Sequence, residues 1–306
     1  MYLEDNMETI GVDLGNCNIK TSKGIIVPSL ITRGENYLIS TGYQLEFNNE
    51  ILIIGEGDYD TNLDKISKEN LLPMLCLALG LSTKEEFIRI VLGLPINQYR
   101  SKKDKMIEVI EDNKILNFKL NGVERTIYIE DAAIFPEGVA TYYSLDVDKR
   151  RELIEKDLIV LDIGGRTTDI ALLKAGKKRS VAKSTSLDVG MINIYNDMIN
   201  EINSLYTLGL NIEDAEGIIK NGLEVDGEKK DTEFIKDIIR NNIERVFKEL
   251  NISYPVRTSP ILVTGGGGRS FFKSIKRRYP SARMIEDNLF SNANGYKRVG
   301  EKLWRD

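Results

Sequence analysis

Two stretches of this chain repeat one another. "TIGVDLGNCNIKTSKG" near the start and "LIVLDIGGRTTDIALLKAGKK" past the midpoint each run an apolar strand into Asp-x-Gly, turn, and meet a charged residue seven positions after the aspartate. In the first copy these are Asp13, Gly15 and Lys20; in the second, 149 residues on, they are Asp162, Gly164 and Asp169. Such an interval is about one domain's length. Each copy reads as a β-hairpin whose tight turn presents backbone N–H groups. The pair predicts a duplicated α/β fold with a cleft between its halves.

The remaining pattern suits that expectation. "YQLEFNNEILIIGEG" over 43–57 predicts a hairpin turned at Asn48-Asn49, and "ILNFKLNGVERTIYIED" predicts two strands turned at Asn121-Gly122. A helix is expected over 67–80, with Pro73 able to begin or kink it, then a buried strand over 87–95. "QYRSKKDKMIEVIED" predicts a helix whose basic cluster, Arg100, Lys102, Lys103 and Lys105, reads as a solvated face. Another helix is expected from Pro136, since proline suits a first turn. Beyond the second hairpin one helix opens near Asp188, and a shorter one ends at Asn221-Gly222, as helices often do. "EKKDTEFIKDIIRNNIERVFKEL" sets Ile235, Ile239, Ile243, Val246 and Leu250 on one stripe, which reads as core. "SPILVTGGGGRSFFKSIKRRY" predicts strand, glycine turn and helix, and "NANGYKRVGEKLW" a closing helix.

Composition narrows the chemistry. The 306 residues carry 47 acidic and 42 basic side chains, a net charge of -5, which argues against a general nucleic-acid or membrane surface. The start, "MYLEDNMETI", is acidic and has no apolar signal core, and no run approaches the roughly 18 apolar residues of a membrane span. A soluble, cytoplasmic protein is expected. Cys17 and Cys76 form neither a disulfide framework nor a zinc spacing. The chain has no histidine, which excludes Ser–His–Asp triads and His-ligated zinc. Catalysis would rest on carboxylates, Lys, Arg, hydroxyls, backbone amides or an oxygen-bound cation.

A strand that ends on a carboxylate and turns on Gly164-Gly165 sets an anion beside amides that can cradle phosphate oxygens. The carboxylate can hold a hydrated Mg²⁺, and the hydroxyls of Thr167 and Thr168 can add hydrogen bonds. A plain β-turn with a side-chain-capped Asp is the bland alternative; the second copy, with Lys20, favours two loops gripping one polyphosphate. The run Gly265–Gly268 between a strand and a helix lets another body lie against the main chain, and a glycine turn at a helix N-terminus favours anions. Glu137 falls in the first turn of the helix expected from Pro136, where the dipole favours a carboxylate. It is either a favourable first-turn residue or, with no histidine available, the group that orients an attacking water.

In this order the segments resemble the actin-like ATPases, the superfamily that includes heat-shock chaperones and sugar kinases. The first hairpin is similar to its phosphate-1 loop, "LDIGGRTTD" to phosphate-2, "PEGVA" to the first connecting helix, "VTGGGG" to the adenosine motif and "NANGYKRVG" to the second connecting helix. The "DIGGRTTD" and "NANGYKRVG" forms look most like ParM-type actins, bacterial filament proteins that segregate plasmids. The resemblance implies two duplicated RNase-H-like domains with a nucleotide cleft between them, residues 1–157 plus 287–306 and residues 158–286. It assigns Asp13 and Asp162 to a water-bridged Mg²⁺, with Glu137 and Asp162 as the catalytic pair. Gly15, Asn16, Lys20, Gly164, Gly165 and Thr167 would meet phosphates, and Gly265, Gly266 and Gly267 the nucleoside. Glu216 and Lys220 would touch base or ribose, and Asn18, Arg166, Thr168, Gly190 and Gly268 complete the nucleotide-binding set. Asp169 matches the motif and is expected to bond its own turn. Asn16 departs from the usual Ser or Thr, losing a hydroxyl.

The activity so implied is hydrolysis of ATP or GTP coupled to a dynamic filament of the chain itself, with a DNA-bound adaptor of the ParR type as partner and no direct DNA or membrane binding. A small-molecule kinase and a non-segregating MreB-like scaffold are the alternatives on the same fold. A chaperone fits less well, because no substrate-binding domain is expected after the closing helix.

Overall fold

The computed structural model describes residues 7–34, 40–59, 64–67 and 69–305; residues 1–6 of the acidic start lie outside that set. The first half of the chain opens with β1 (Glu8–Leu14), β2 (Asn18–Thr21), β3 (Ile26–Pro28), β4 (Leu30–Arg33), β5 (Tyr43–Phe47), β6 (Glu50–Ile54) and β7 (Asp58–Tyr59). It continues with α1 (Leu71–Ser82), β8 (Phe87–Leu94), α2 (Ile96–Asp112), β9 (Ile115–Leu120), β10 (Val123–Pro136), α3 (Val139–Ser144) and α4 (Val147–Leu153). The second half holds β11 (Leu158–Ile163), β12 (Thr168–Leu173), β13 (Val181–Leu187), α5 (Met191–Tyr206), a single 3₁₀ turn (Ile212–Asp214), α6 (Ala215–Asn221), β14 (Leu223–Val225) and β15 (Glu228–Lys230). It closes with α7 (Phe234–Ser253), β16 (Ile261–Thr264), α8 (Gly266–Arg278), β17 (Arg283–Met284) and α9 (Ser291–Leu303).

The duplication is visible in the sheets. One sheet begins β3-β2-β1-β8-β10 and the other is β13-β12-β11-β16-β17. In both, the first three strands are antiparallel and the last three parallel. The first sheet then adds β9, β5, β6, β4 and β7 along its far edge. The central strands β1, β8 and β11 are almost wholly buried, as continuous apolar strands covered on both faces should be. Helix α1 is apolar around most of its circumference and lies in the core of the first half. Ile243, Val246, Phe247 and Leu250 of α7 pack on β11 and β16 in the second.

Both predicted two-residue turns form with left-handed backbone, at Asn48-Asn49 (φ 49° and 64°) and Asn121-Gly122 (φ 47° and 80°). Three expectations shift. The helix expected from residue 67 starts at Leu71, which leaves Pro73 in its first turn, where a missing N–H costs little. The helix expected through "EKKDTEFIKD" starts at Phe234, because Asp226-Gly227 turns a short hairpin between β14 and β15. The helix expected from Pro136 starts only at Val139. Strand β10 pairs with β8 as far as Pro136 and Leu94, and Glu137 N–H donates to the Leu94 carbonyl at 2.8 Å.

Helix α9 returns from the second half to lie on β1, β8 and α3. Its approach is so close that a Cβ on Gly295 would stand 2.0 Å from the Ala140 carbonyl oxygen, and one on Gly11 would stand 2.0 Å from that of Ala293. Backbone faces backbone at both points, so no side chain can yield. Gly295→Ala should therefore lower the unfolding free energy by about 1–3 kcal/mol in urea titrations, the usual range for overpacking. Gly217→Ala, in the open interior of α6 with nothing near the added carbon, should be neutral or stabilise by about 0.5–1 kcal/mol. Equal effects at the two sites would contradict this packing.

Candidate functional site

The two hairpins share one register. Asp13 stands opposite Lys20 across β1 and β2, and Asp162 opposite Asp169 across β11 and β12. Each turn is closed by the same bond, Gly15 N–H to the Asn18 carbonyl at 3.1 Å and Gly164 N–H to the Thr167 carbonyl at 2.8 Å. The turns meet directly, since a Cβ on Gly165 would overlap Cys17 Sγ. Helix α5 begins beneath the second turn, where Met191 and Ile192 N–H groups donate to the Gly164 and Gly165 carbonyls at 3.2 and 2.7 Å. Both carbonyls thereby find partners in the first turn of α5.

That space is a cavity of about 420 Å³, within the range of small-molecule sites. One end is ionic, lined by Asp13, Lys20, Glu137, Asp162 and Asp169. The rest of the lining is mixed, with Met191, Ile192, Tyr195, Ile212, Glu216 and Leu289, and with Gly265, Gly266 and Gly267 at the start of α8, of which Gly265 adjoins Asp162. Lys20 pairs with Asp13 at 2.8 Å, and Lys65, only 3 % exposed, pairs with Glu137. Asn292 on α9 joins the two halves: its Oδ1 accepts from Gly138 N–H and Thr141 Oγ1, and its Nδ2 donates to Asp162 Oδ2 at 3.0 Å. Burial pushes Asp162 up to about 7 despite Lys20, and pushes Asp169 up despite the Ser186 and Thr167 hydroxyls. Burial likewise raises Glu137, with Lys65 opposing and Asp13 adding to the shift. Burial is outweighed at Asp13, where Lys20 and Lys65 hold the carboxyl below its usual range.

The family model described as actin like proteins N terminal domain matches residues 11–139, and that described as archaeal actin homologue MreB-like, C-terminal, matches residues 160–277. A non-polymerisable quadruple mutant of pCBH ParM superimposes with a TM-score of 0.78 at 25% identity, covering 97% of this chain and 100% of that one. The chain belongs to the actin-like superfamily. A 15-stranded ParM filament from Clostridium botulinum gives a TM-score of 0.82 at 23% identity over 97% and 99% of the two chains. An archaeal actin homologue in complex with ADP gives 0.81 at 22% identity over 97% and 100%. No curated protein matches by sequence.

Within this actin-like cleft the expected residues divide. Asp13, Gly15, Asn16, Asn18, Lys20, Glu137, Asp162, Gly164, Gly165, Arg166, Thr167, Glu216 and Gly265–Gly267 line the cavity. Gly15 and Gly164 do so with their N–H groups already committed to their turns, so any amide reaching a ligand comes from later turn positions. Four residues stand elsewhere. Thr168 is fully buried and donates to the Val189 carbonyl at 2.6 Å, Gly190 packs on the Gly165 and Arg166 backbone, Gly268 lies on Val263, and Lys220 is exposed in the last turn of α6. Asp169 bonds its own turn, accepting from Thr167 Oγ1 at 3.0 Å. Glu137 stands before α3, held by the sheet and Lys65 in place of a helix dipole. Lys65, Asn292 and Tyr195, whose hydroxyl donates to Glu216 at 3.0 Å, are additions. Asn292 lies inside the quoted "NANGYKRVG"; Lys65 sits in a polar stretch that carries no pattern.

The donor set fits a hydrated divalent cation. Asp13, Glu137, Asp162 and Asp169 face two ammonium groups, Lys20 and Lys65, so full ionisation leaves an excess of two negative charges. Among the described residues no three His, Cys, Asp or Glu side chains converge as a metal cage; Mg²⁺ keeps several waters and takes few carboxylates. Gly265, at φ 80°, must lack a side chain, because a Cβ would stand 2.5 Å from Asp162 Oδ1. Among the described residues no helix is long and apolar enough to cross a membrane.

One consequence is measurable without ligand. Asp162 is harder to ionise folded than unfolded, so its contribution to stability is fully present below the ordinary value of 3.8 and is lost as pH rises toward about 7. Asp162→Asn keeps an acceptor for Asn292 and removes that loss. In EDTA the variant should melt above the parent once pH exceeds the folded value, by about 2–4 °C for each kcal/mol recovered, and the gap should close below the ordinary value. A variant that melts lower across the whole range would contradict the assignment.

Proposed function

We propose that this chain binds a magnesium nucleoside triphosphate, ATP or GTP, in the cleft and hydrolyses it to time the assembly and disassembly of a filament of its own copies. The reading rests above all on the two hairpins of identical register that meet at Cys17 and Gly165 and share one cavity. Asp13 and Asp162 would hold the hydrated Mg²⁺ through water, and that ion would neutralise charge on the phosphates. Lys20 supplies a donor to a phosphate oxygen, and the later amides of both turns supply others. Glu137 accepts a hydrogen bond from water and turns it toward the terminal phosphate. Asn292 keeps Asp162 in register with the Gly138 backbone beside Glu137, so both halves meet at the reacting end.

Loss of the terminal phosphate removes contacts shared by the two halves, whose angle can then change and alter distant surfaces. The proposed halves are residues 1–157 with 287–306 and residues 158–286. In a filament those surfaces are subunit contacts, and the 15-stranded ParM filament among the structural neighbours supports this use of the fold. The resemblance of the motifs to ParM-type actins, and not the filament structure, is what extends the proposal to plasmid DNA as cargo, reached through a DNA-bound adaptor of the ParR type, in the cytoplasm.

Glu137→Ala should bind Mg-triphosphate as the parent does, yet lose turnover by about 10²–10⁴-fold, the usual worth of a positioned acid or base. Light scattering and pelleting should show a sharp critical concentration for both proteins, with slower disassembly in the variant. Full turnover in Glu137→Ala would overturn the role of that residue. Soluble monomer transferring phosphate to a small acceptor would favour the kinase reading.

A further inference from the structure

Lys65 has no counterpart in the repeated hairpins, yet it is the cation that touches Glu137. Its ammonium donates to Glu137 Oε1 and to the Gly93 carbonyl at 3.3 Å, and the side chain is 3 % exposed. Gly93 and Phe135 are register partners at the ends of β8 and β10, so Lys65 staples the two strand ends between which Glu137 emerges. The lysine is itself held from outside. Asp64 Oδ1 accepts from Ile66 N–H at 3.2 Å, and Asp64 Oδ2 pairs with Lys102 on α2 at 2.7 Å. Helix α2 packs on β10 and also on β13 of the second sheet.

We infer that Lys65 is the positioning residue for Glu137, fixing the direction of its carboxylate toward the cleft, and that the Asp64–Lys102 pair holds Lys65 in place from α2. This rests on the hydrolytic reading above. Without the ammonium, Glu137 would keep its covalent place at the end of β10 but lose the bond that fixes its rotamer. It would also be a largely buried carboxyl near Asp13 and Asp169 with no cation in contact, an arrangement that favours the protonated form, which no longer accepts water's hydrogen bond as a carboxylate does. The misplacement concerns the reacting step alone, so it should register in kcat and not in nucleotide affinity.

The test compares the parent with Lys65→Met, Lys65→Arg and Lys102→Met. Phosphate release gives kcat, and equilibrium binding of a fluorescent, non-hydrolysable Mg-triphosphate gives affinity. Lys65→Met should lose at least about tenfold in kcat with affinity changed less than about threefold, and Lys65→Arg should recover most of the loss. Lys102→Met, at a half-buried position on α2, should lose about two- to fivefold in kcat at parental affinity. Parental kcat in folded Lys65→Met would overturn the inference. So would a joint fall of kcat and affinity that arginine does not relieve, the mark of a cation needed only for the fold. Should Lys65→Met fail to fold, Lys102→Met decides: reduced kcat at unchanged affinity supports the inference, and unchanged kcat overturns it. A parent that binds no Mg-triphosphate, or binds it without releasing phosphate, overturns the hydrolytic reading and this inference together, whereas a parent that releases phosphate but no faster than Lys65→Met overturns this inference alone.

Discussion

The interior of the cleft holds more negative charge than it can neutralise. Asp13 is satisfied by Lys20, and Glu137 by Lys65, while Asp162 and Asp169 are left with hydroxyl and amide donors. Carboxylates half-buried in this condition are costly, and in isolation they shift toward the protonated form. The upward shifts at Asp162, Glu137 and Asp169 are that cost expressed as proton affinity. Under the proposed reading, a bound cation would offset that cost.

The site is built mainly from backbone. Two strands covered on both faces end on aspartates, and the next residues turn through the same closing bond. Helix α5 caps the second turn by donating to its carbonyls, and α9 reaches across so that Asn292 bridges Asp162 and the Gly138 backbone. Gly11 and Gly295 let α9 come near enough for that bridge to form. The hairpins therefore meet because the helices behind them fix both halves, and the cavity they enclose lies where the five-strand motif faces its own copy.

Much of this was legible in the chain. Hairpin register follows from alternation and turn length, so Asp13 opposite Lys20 and Asp162 opposite Asp169 could be read from spacing. Other parts were not. Thr167 and Thr168 look equivalent in the motif, but successive strand side chains point to opposite faces, and only Thr167 turns toward the cavity. Lys220 shares a helix face with Glu216, yet it lies four residues, about 6 Å, further along α6. Pro136 suits a helix start and a strand end alike, and the pairing with β8 decided between them. Lys65 left no local trace, because its burial is made by the distant strand ends that it joins.

The central claim is that one metal-bound triphosphate is shared by both hairpins. The direct measurement is a crystal structure with Mn²⁺ and a non-hydrolysable triphosphate, with the metal located by its anomalous scattering. A single peak between the Asp13 and Asp162 carboxylates, bridged to both through water and bound to phosphate oxygens, is the predicted result. A nucleotide held by one hairpin alone, or a metal peak away from both aspartates, would contradict the account.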